Sequence, residues 1–108
     1  MARIIALLAL LMCSNLVLAG AQTGKIKDIR VRDDGLHWFV LDGTSTNKPT
    51  CAKFGYWMIK DEKSDYGKSQ FSMLLSAYMA DKTITVVGAN TCTRWADGED
   101  VSYLMLAK

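Results

Sequence analysis

The hydrophobic positions of this chain change their spacing several times, and each change predicts an element. From Ile4 to Met12 the apolar run is unbroken, behind a short positive start at Met1-Ala2-Arg3, and Leu16 to Ala21 ends in small residues. Charged, then apolar, then small is the order of a secretory leader. Cleavage fits after Ala19 or after Ala21, so the expected organisation is a signal peptide over 1–21 and one domain over 22–108. An uncleaved membrane anchor is the alternative, and Ser14 and Asn15 inside the run weigh against it.

Past the leader the pattern turns to strands. Lys25 to Arg32 carries Ile26, Ile29 and Val31, and the step from 26 to 29 breaks strict alternation, which predicts a bulge near Lys27-Asp28 that bends the strand. Asp33-Asp34-Gly35 is a hairpin signal, because Asp-Gly accepts backbone angles other residues resist. Leu36 to Leu41 follows as a second strand, then a polar loop from Asp42 to Thr50, then a third strand over about Cys51 to Lys60. Asp61 to Lys68 reads as a charged connection. Phe71, Leu74, Leu75 and Tyr78 then fall on one helical stripe, with Ser69 as the expected cap and an end near Asp81-Lys82. Thr83 to Val87 is β-branched and predicts a fourth strand, Gly88 to Asp100 a long loop, and Val101 to Leu106 the last strand.

This order predicts a mainly β protein: an OB-fold, the five-stranded Greek-key barrel, with one helix between strands 3 and 4. A small open sheet packed by one helix is the runner-up. The second, third and fifth strands are apolar on both faces (Trp38 with Phe39, Tyr56 with Trp57, Leu104 with Met105), whereas a small barrel fills only its interior. A neighbouring subunit is expected to cover that exterior, unless the long loops fold back over it.

Composition narrows the chemistry. At 108 residues the chain is one small domain, and its 13 basic and 11 acidic side chains give a charge of +2 that falls further once Arg3 leaves with the leader. Lys25, Lys27, Arg30 and Arg32, with Trp38 and Phe39 beside them, are the best case for nucleic-acid binding, but a near-neutral exported chain lacks the electrostatic footprint that such binding needs. No nucleic-acid partner and no membrane span after cleavage are expected. Export also changes the cysteine arithmetic. Cys13 goes with the leader, and Cys51 and Cys92 remain as a pair expected to form a disulfide in an oxidising space, secreted or periplasmic. Two cysteines and the single His37 show no ligand spacing, so neither a metal nor another cofactor is expected. No spacing assigns His37 a nucleophile, the acids fall in turns, and the chain reads as a non-enzyme without catalytic residues. Binding is the remaining class, and the polar side chains offered to a saccharide are Thr23, Asp42, Thr44, Ser45, Thr46 and Asn47.

Thr23-Gly24-Lys25-Ile26, Asn47-Lys48-Pro49-x-Cys51, Leu74-Leu75-x-Ala77 and Val87-Gly88-x-x-x-Cys92-x-x-Trp95 occur in this order along the domain. Together they resemble the small exported proteins related to the B subunits of subtilase cytotoxin and pertussis-like toxins. The closing Trp95-Ala96-Asp97-Gly98-Glu99-Asp100-Val101-x-Tyr103 is most similar to the uncharacterised secreted members. The resemblance implies an OB-fold, a disulfide between the third strand and the last loop, and a homopentameric ring. It also implies binding to sialylated glycans, with Thr23 at the hydroxyl position that opens the first strand and Asp42 as the nearest counterpart of a polar contact after the second. The toxin members deliver a separate catalytic A chain. Here Lys108 follows soon after the last strand, without the longer carboxy-terminal part of those subunits, which weighs against delivery more than against the fold. The competing expectation is a secreted structural or protein-interaction OB-fold without a glycan site.

Overall fold

A computed structural model describes residues 19–107, so the leader expected over 1–21 lies, up to position 18, outside the described residues. Five strands close into a barrel: β1 (Ala21–Val31), β2 (His37–Leu41), β3 (Tyr56–Met58), β4 (Thr83–Gly88) and β5 (Glu99–Met105), with helix α1 (Asp65–Met79) between β3 and β4. Around the barrel the order is β1-β2-β3-β5-β4, closed by β1 on β4, with every pairing antiparallel except β3 on β5. This is the OB-fold expected from the element order.

β1 does the closing because it serves two neighbours. Ala21 to Lys25 pair with β4, and Ile26 to Val31 pair with β2. The register shifts between Ile26 and Asp28, so the expected bulge stands where the apolar spacing broke, and the strand bends there from one sheet into the next. The turn into β2 is the Asp-Gly hairpin, with Gly35 at φ 88° and paired bonds Gly35 N to Arg32 O at 3.0 Å and Arg32 N to Leu36 O at 2.9 Å.

Strand alternation builds the core. Phe39 of β2 and Trp57 of β3 stand opposite one another, fully buried, and join Ile26, Leu41, Ile59, Ile84, Val86 and Val101, with Leu74 and Ala77 of the helix plugging the cluster. Each such side chain contributes about 1.5–3 kcal/mol by leaving water. The burial of Phe39 removes it from the exposed aromatics that nucleic-acid stacking needs. The basic stripe on β1 is partly neutralised as well, Lys25 by Asp81, Arg30 by Asp28 and Arg32 by Asp34.

Four boundaries differ from the sequence reading. The first strand begins at Ala21 rather than Lys25, because Ala21 to Lys25 pair with β4. The third strand keeps only Tyr56 to Met58, because Cys51 and Lys53 are drawn into turns, with Ala52 N on Pro49 O and Lys53 N reaching Asp97 O across the barrel. The last strand begins at Glu99, since the Glu99-Asp100 pair lies in parallel register with Trp57 and Met58. The helix starts a turn earlier than Ser69: Ser64 is the cap, its Oγ accepting from Gly67 N at 3.0 Å, and the end near Asp81 is as expected. Its buried stripe is Gly67, Leu74 and Ala77, while Leu75 and Tyr78 face outward.

Cys51 and Cys92 are disulfide-bonded, with Cα atoms 6.2 Å apart. The bond ties the β2–β3 connection to the β4–β5 connection. No helix among the described residues is long and apolar enough to cross a membrane.

Candidate functional site

The alternation that sends Phe39 and Trp57 inward sends Trp38, Tyr56 and Met58 to the outer face of β2 and β3. There they are not left bare. Leu36 and Arg32 arrive from the β1–β2 turn and Trp95 from the β4–β5 loop, and the six side chains line a cleft of about 100 Å³. Within the chain, these loops cover part of the two-faced strands.

Arg32 makes one wall. Its guanidinium lies 4.9 Å from the Trp95 ring centroid, and its Nη2 donates to Asp34 Oδ2 at 2.5 Å. The Arg32 bond, followed by one from the Leu36 amide, holds the Asp34 carboxyl below its usual range. Tyr56 makes the opposite wall. Its hydroxyl donates to Asp97 Oδ1, and the Phe54 ring stacks on it at 5.8 Å with planes 14° apart. Burial, reinforced by the Asp97 bond, pushes the Tyr56 phenol up to about 12, so it remains a hydrogen-bond donor at any physiological pH.

The loop that carries Trp95 is fixed at several points. Asp100, fully buried at the start of β5, accepts from Thr91 Oγ1 at 2.7 Å, from Thr93 N at 2.9 Å and Oγ1 at 2.6 Å, and from Arg94 N at 3.1 Å. Arg94 Nε in turn meets both Glu62 oxygens, at 3.0 and 3.1 Å. With the disulfide at Cys92, these contacts preorganise the loop before any ligand arrives.

The residues proposed from sequence lie elsewhere. Thr23, on β1, shares an open polar hollow of about 230 Å³ with Ala21, Gln22, Thr44 and Thr46, and its hydroxyl is already bonded to that of Thr85 at 2.8 Å. Asp42 is exposed just beyond β2, its amide on Lys25 O at 2.8 Å, and it does not line that hollow. The structure thus groups Thr23 with Thr44 and Thr46 and leaves Asp42 beside them. His37 lies apart from both sites, its Nδ1 2.6 Å from Gly35 O and its ring edge-on to Phe71 at 4.7 Å. Among the described residues no cluster of His, Cys, Asp and Glu is arranged to hold a metal ion.

Sequence reasoning set Trp38 beside Arg32 and counted Trp38 and Tyr56 in strands apolar on both faces without saying which side chain faces outward, and it did not join them to Leu36 or Trp95. The available signal was the aromatic placed in the loop just after Cys92. No protein-family model, no curated protein and no solved structure matches the chain, so the assignment to the OB-fold rests on the strand order and pairing described above.

Proposed function

We propose that the chain is an exported, non-catalytic binding protein that presents the aromatic cleft to a saccharide, in the manner of the toxin B subunits it resembles. The observation that carries the proposal is the position of the cleft. It lies on the outer β2–β3 face between the β1–β2 turn and the β4–β5 loop, where OB barrels take oligosaccharides and oligonucleotides. Indole and phenol faces suit the C–H face of a sugar ring, and Arg32, paired with Asp34, sets a guanidinium edge beside them for a sugar's oxygens. At about 100 Å³ the cleft is smaller than an enclosing small-molecule pocket, so it serves as a platform for one residue of a glycan. The low net charge favours a saccharide over a nucleic acid. The disulfide supports an oxidising destination.

A glycan panel that includes sialylated members tests this directly. Trp38→Ala and Trp95→Ala are expected to abolish binding, while Thr23→Ala and Asp42→Ala leave it unchanged. The reverse pattern would move the site to the Thr23 hollow, as the toxin resemblance implies.

A second reading, a secreted structural or protein-interaction module, is favoured by the apolar side chains that remain uncovered. Tyr103 and Met105 of β5 are 51% and 47% exposed, and Met79 of α1 is 82% exposed. Native mass spectrometry of the unreduced exported protein counts subunits. A five-fold mass supports a toxin-B-like ring, and a monomer that binds no glycan supports the interaction reading.

A further inference from the structure

Glu99 is fully buried, and among the described residues its Oε1 has no hydrogen-bond partner. Oε2 accepts from two backbone amides, Asn90 N at 3.0 Å and Gly20 N at 3.1 Å. A buried carboxylate without a counter-ion is costly, and two amides do not neutralise it. The nearby cation, Lys48, feels the Glu99 charge but does not serve Oε1: its ammonium lies 3.8 Å from the Trp57 ring centroid and donates to Tyr56 O at 3.2 Å.

Gly20 is the residue pressed against this carboxylate. A Cβ on it would fall 2.2 Å from Glu99 Oε1, so the Gly20 backbone, whose nitrogen already donates to Oε2, is packed directly against the oxygen without a partner. Gly20 is also the residue that follows Ala19, one of the two cleavage points the leader offers. We infer that cleavage falls after Ala19 and that the α-ammonium created on Gly20 is the counter-ion of Glu99. The inference rests on the export reading above. In the step itself, water adds to the Ala19 carbonyl carbon and the bond to Gly20 N breaks. The leader departs as a carboxylate, and the nitrogen takes up protons to become an ammonium. One amide donor is thereby replaced by three, beside an acceptor that has a free oxygen.

The alternative point, after Ala21, removes more than a charge. Gly20 O accepts from Gly88 N at 2.8 Å, and Ala21 exchanges two bonds with Thr46, at 3.0 and 2.8 Å. Cleavage there deletes all of these and leaves Glu99 with the Asn90 amide alone.

The test uses the full chain with its own leader, produced in an exporting host and recovered unreduced. Amino-terminal sequencing and intact mass give the first residue. Brief reductive dimethylation near pH 7, native and in denaturant, then reports the reactivity of the new amine. An ordinary α-amine has a pKa near 8 and reacts ahead of lysines. The expected chain starts at Gly20, and its amine labels at least about tenfold more slowly in the native protein than in denaturant, as a rise of one pKa unit alone would give. A start at Gln22 overturns the inference and leaves export standing, whereas an uncleaved chain overturns export and the inference with it. A Gly20 start with equal native and denatured labelling overturns the ion pair. Glu99→Gln in the same precursor is expected to raise native labelling toward the denatured rate, and unchanged protection in that variant also overturns the pair. If the variant does not fold, the wild-type labelling ratio decides.

Discussion

At the scale of single residues, much of the barrel is fastened by polar side chains that the core has swallowed. Gln22 is the clearest. Its Oε1 accepts from Trp57 Nε1 at 2.8 Å and its Nε2 donates to Gly43 O at 2.8 Å, so one amide ties β1 to both the core tryptophan and the turn after β2. Gln22→Ala strands the indole N–H and is expected to lower stability by about 2–3 kcal/mol in a denaturant titration. Asp100 links the same logic to pH. Burial alone would raise its pKa, but the bonds from Thr91, Thr93 and Arg94 outweigh it and leave the carboxyl below its ordinary 3.8. A depressed folded pKa contributes stability that is present above the unfolded value and lost as pH falls through the folded one. Asp100→Asn is therefore expected to flatten the acid limb of stability below about pH 4, followed by tryptophan fluorescence. Tyr56 works in the opposite direction. With its phenol raised to about 12, its contribution is present below the unfolded value and lost as pH climbs through the folded one. Absorbance titration should show one tyrosinate step that lags in strong alkali and disappears in Tyr56→Phe.

Among the elements, the bend in β1 was legible and the start of α1 was not, and the reason is local in both cases. The step from Ile26 to Ile29 records the bulge because each apolar side chain must still find the core face on either side of it. At the helix, Gly67 reads as a breaker and hides the true cap at Ser64. In the fold it stands in the first turn because a Cβ there would fall 1.8 Å from Asp61 O, against which the helix is pressed. Ser64→Ala is expected to cost about 1 kcal/mol. Gly67→Ala separates the two readings. Were it an ordinary helical glycine, alanine would stabilise by up to about 1 kcal/mol; pressed against Asp61, it is expected to destabilise, with chemical denaturation giving the sign. The third strand was overread for a related reason. The aromatics over Cys51 to Lys60 go to different places, Phe54 exposed, Tyr56 at the outer cleft and Trp57 in the core, and only Tyr56 to Met58 pair as a strand.

Over the whole molecule, the fold was legible because element order alone nearly determines an OB barrel, while the site was not, because it is assembled from segments far apart in the chain. Alternation sets Trp38 and Tyr56 on the faces opposite to Phe39 and Trp57 without saying which face is outside. It does not show that the β4–β5 loop returns to lay Trp95 across them, which depends on the Asp100 bonds and on the bridge between Cys51 and Cys92. Closing that loop contributes about 3–4 kcal/mol in the chain-entropy account. The position of the bridge matters more than its energy. Cys92 stands just before Trp95 and Cys51 a few residues before Tyr56, so one covalent link anchors the two segments that bring these cleft aromatics together. Mild reduction is expected to leave the far-ultraviolet β signature in place while acrylamide quenches tryptophan emission more readily, as Trp95 comes loose. The cleft is then a product of oxidation as much as of folding, and a chain held in a reducing compartment is expected to carry the barrel without a finished cleft, a record in its own shape of where the molecule has been.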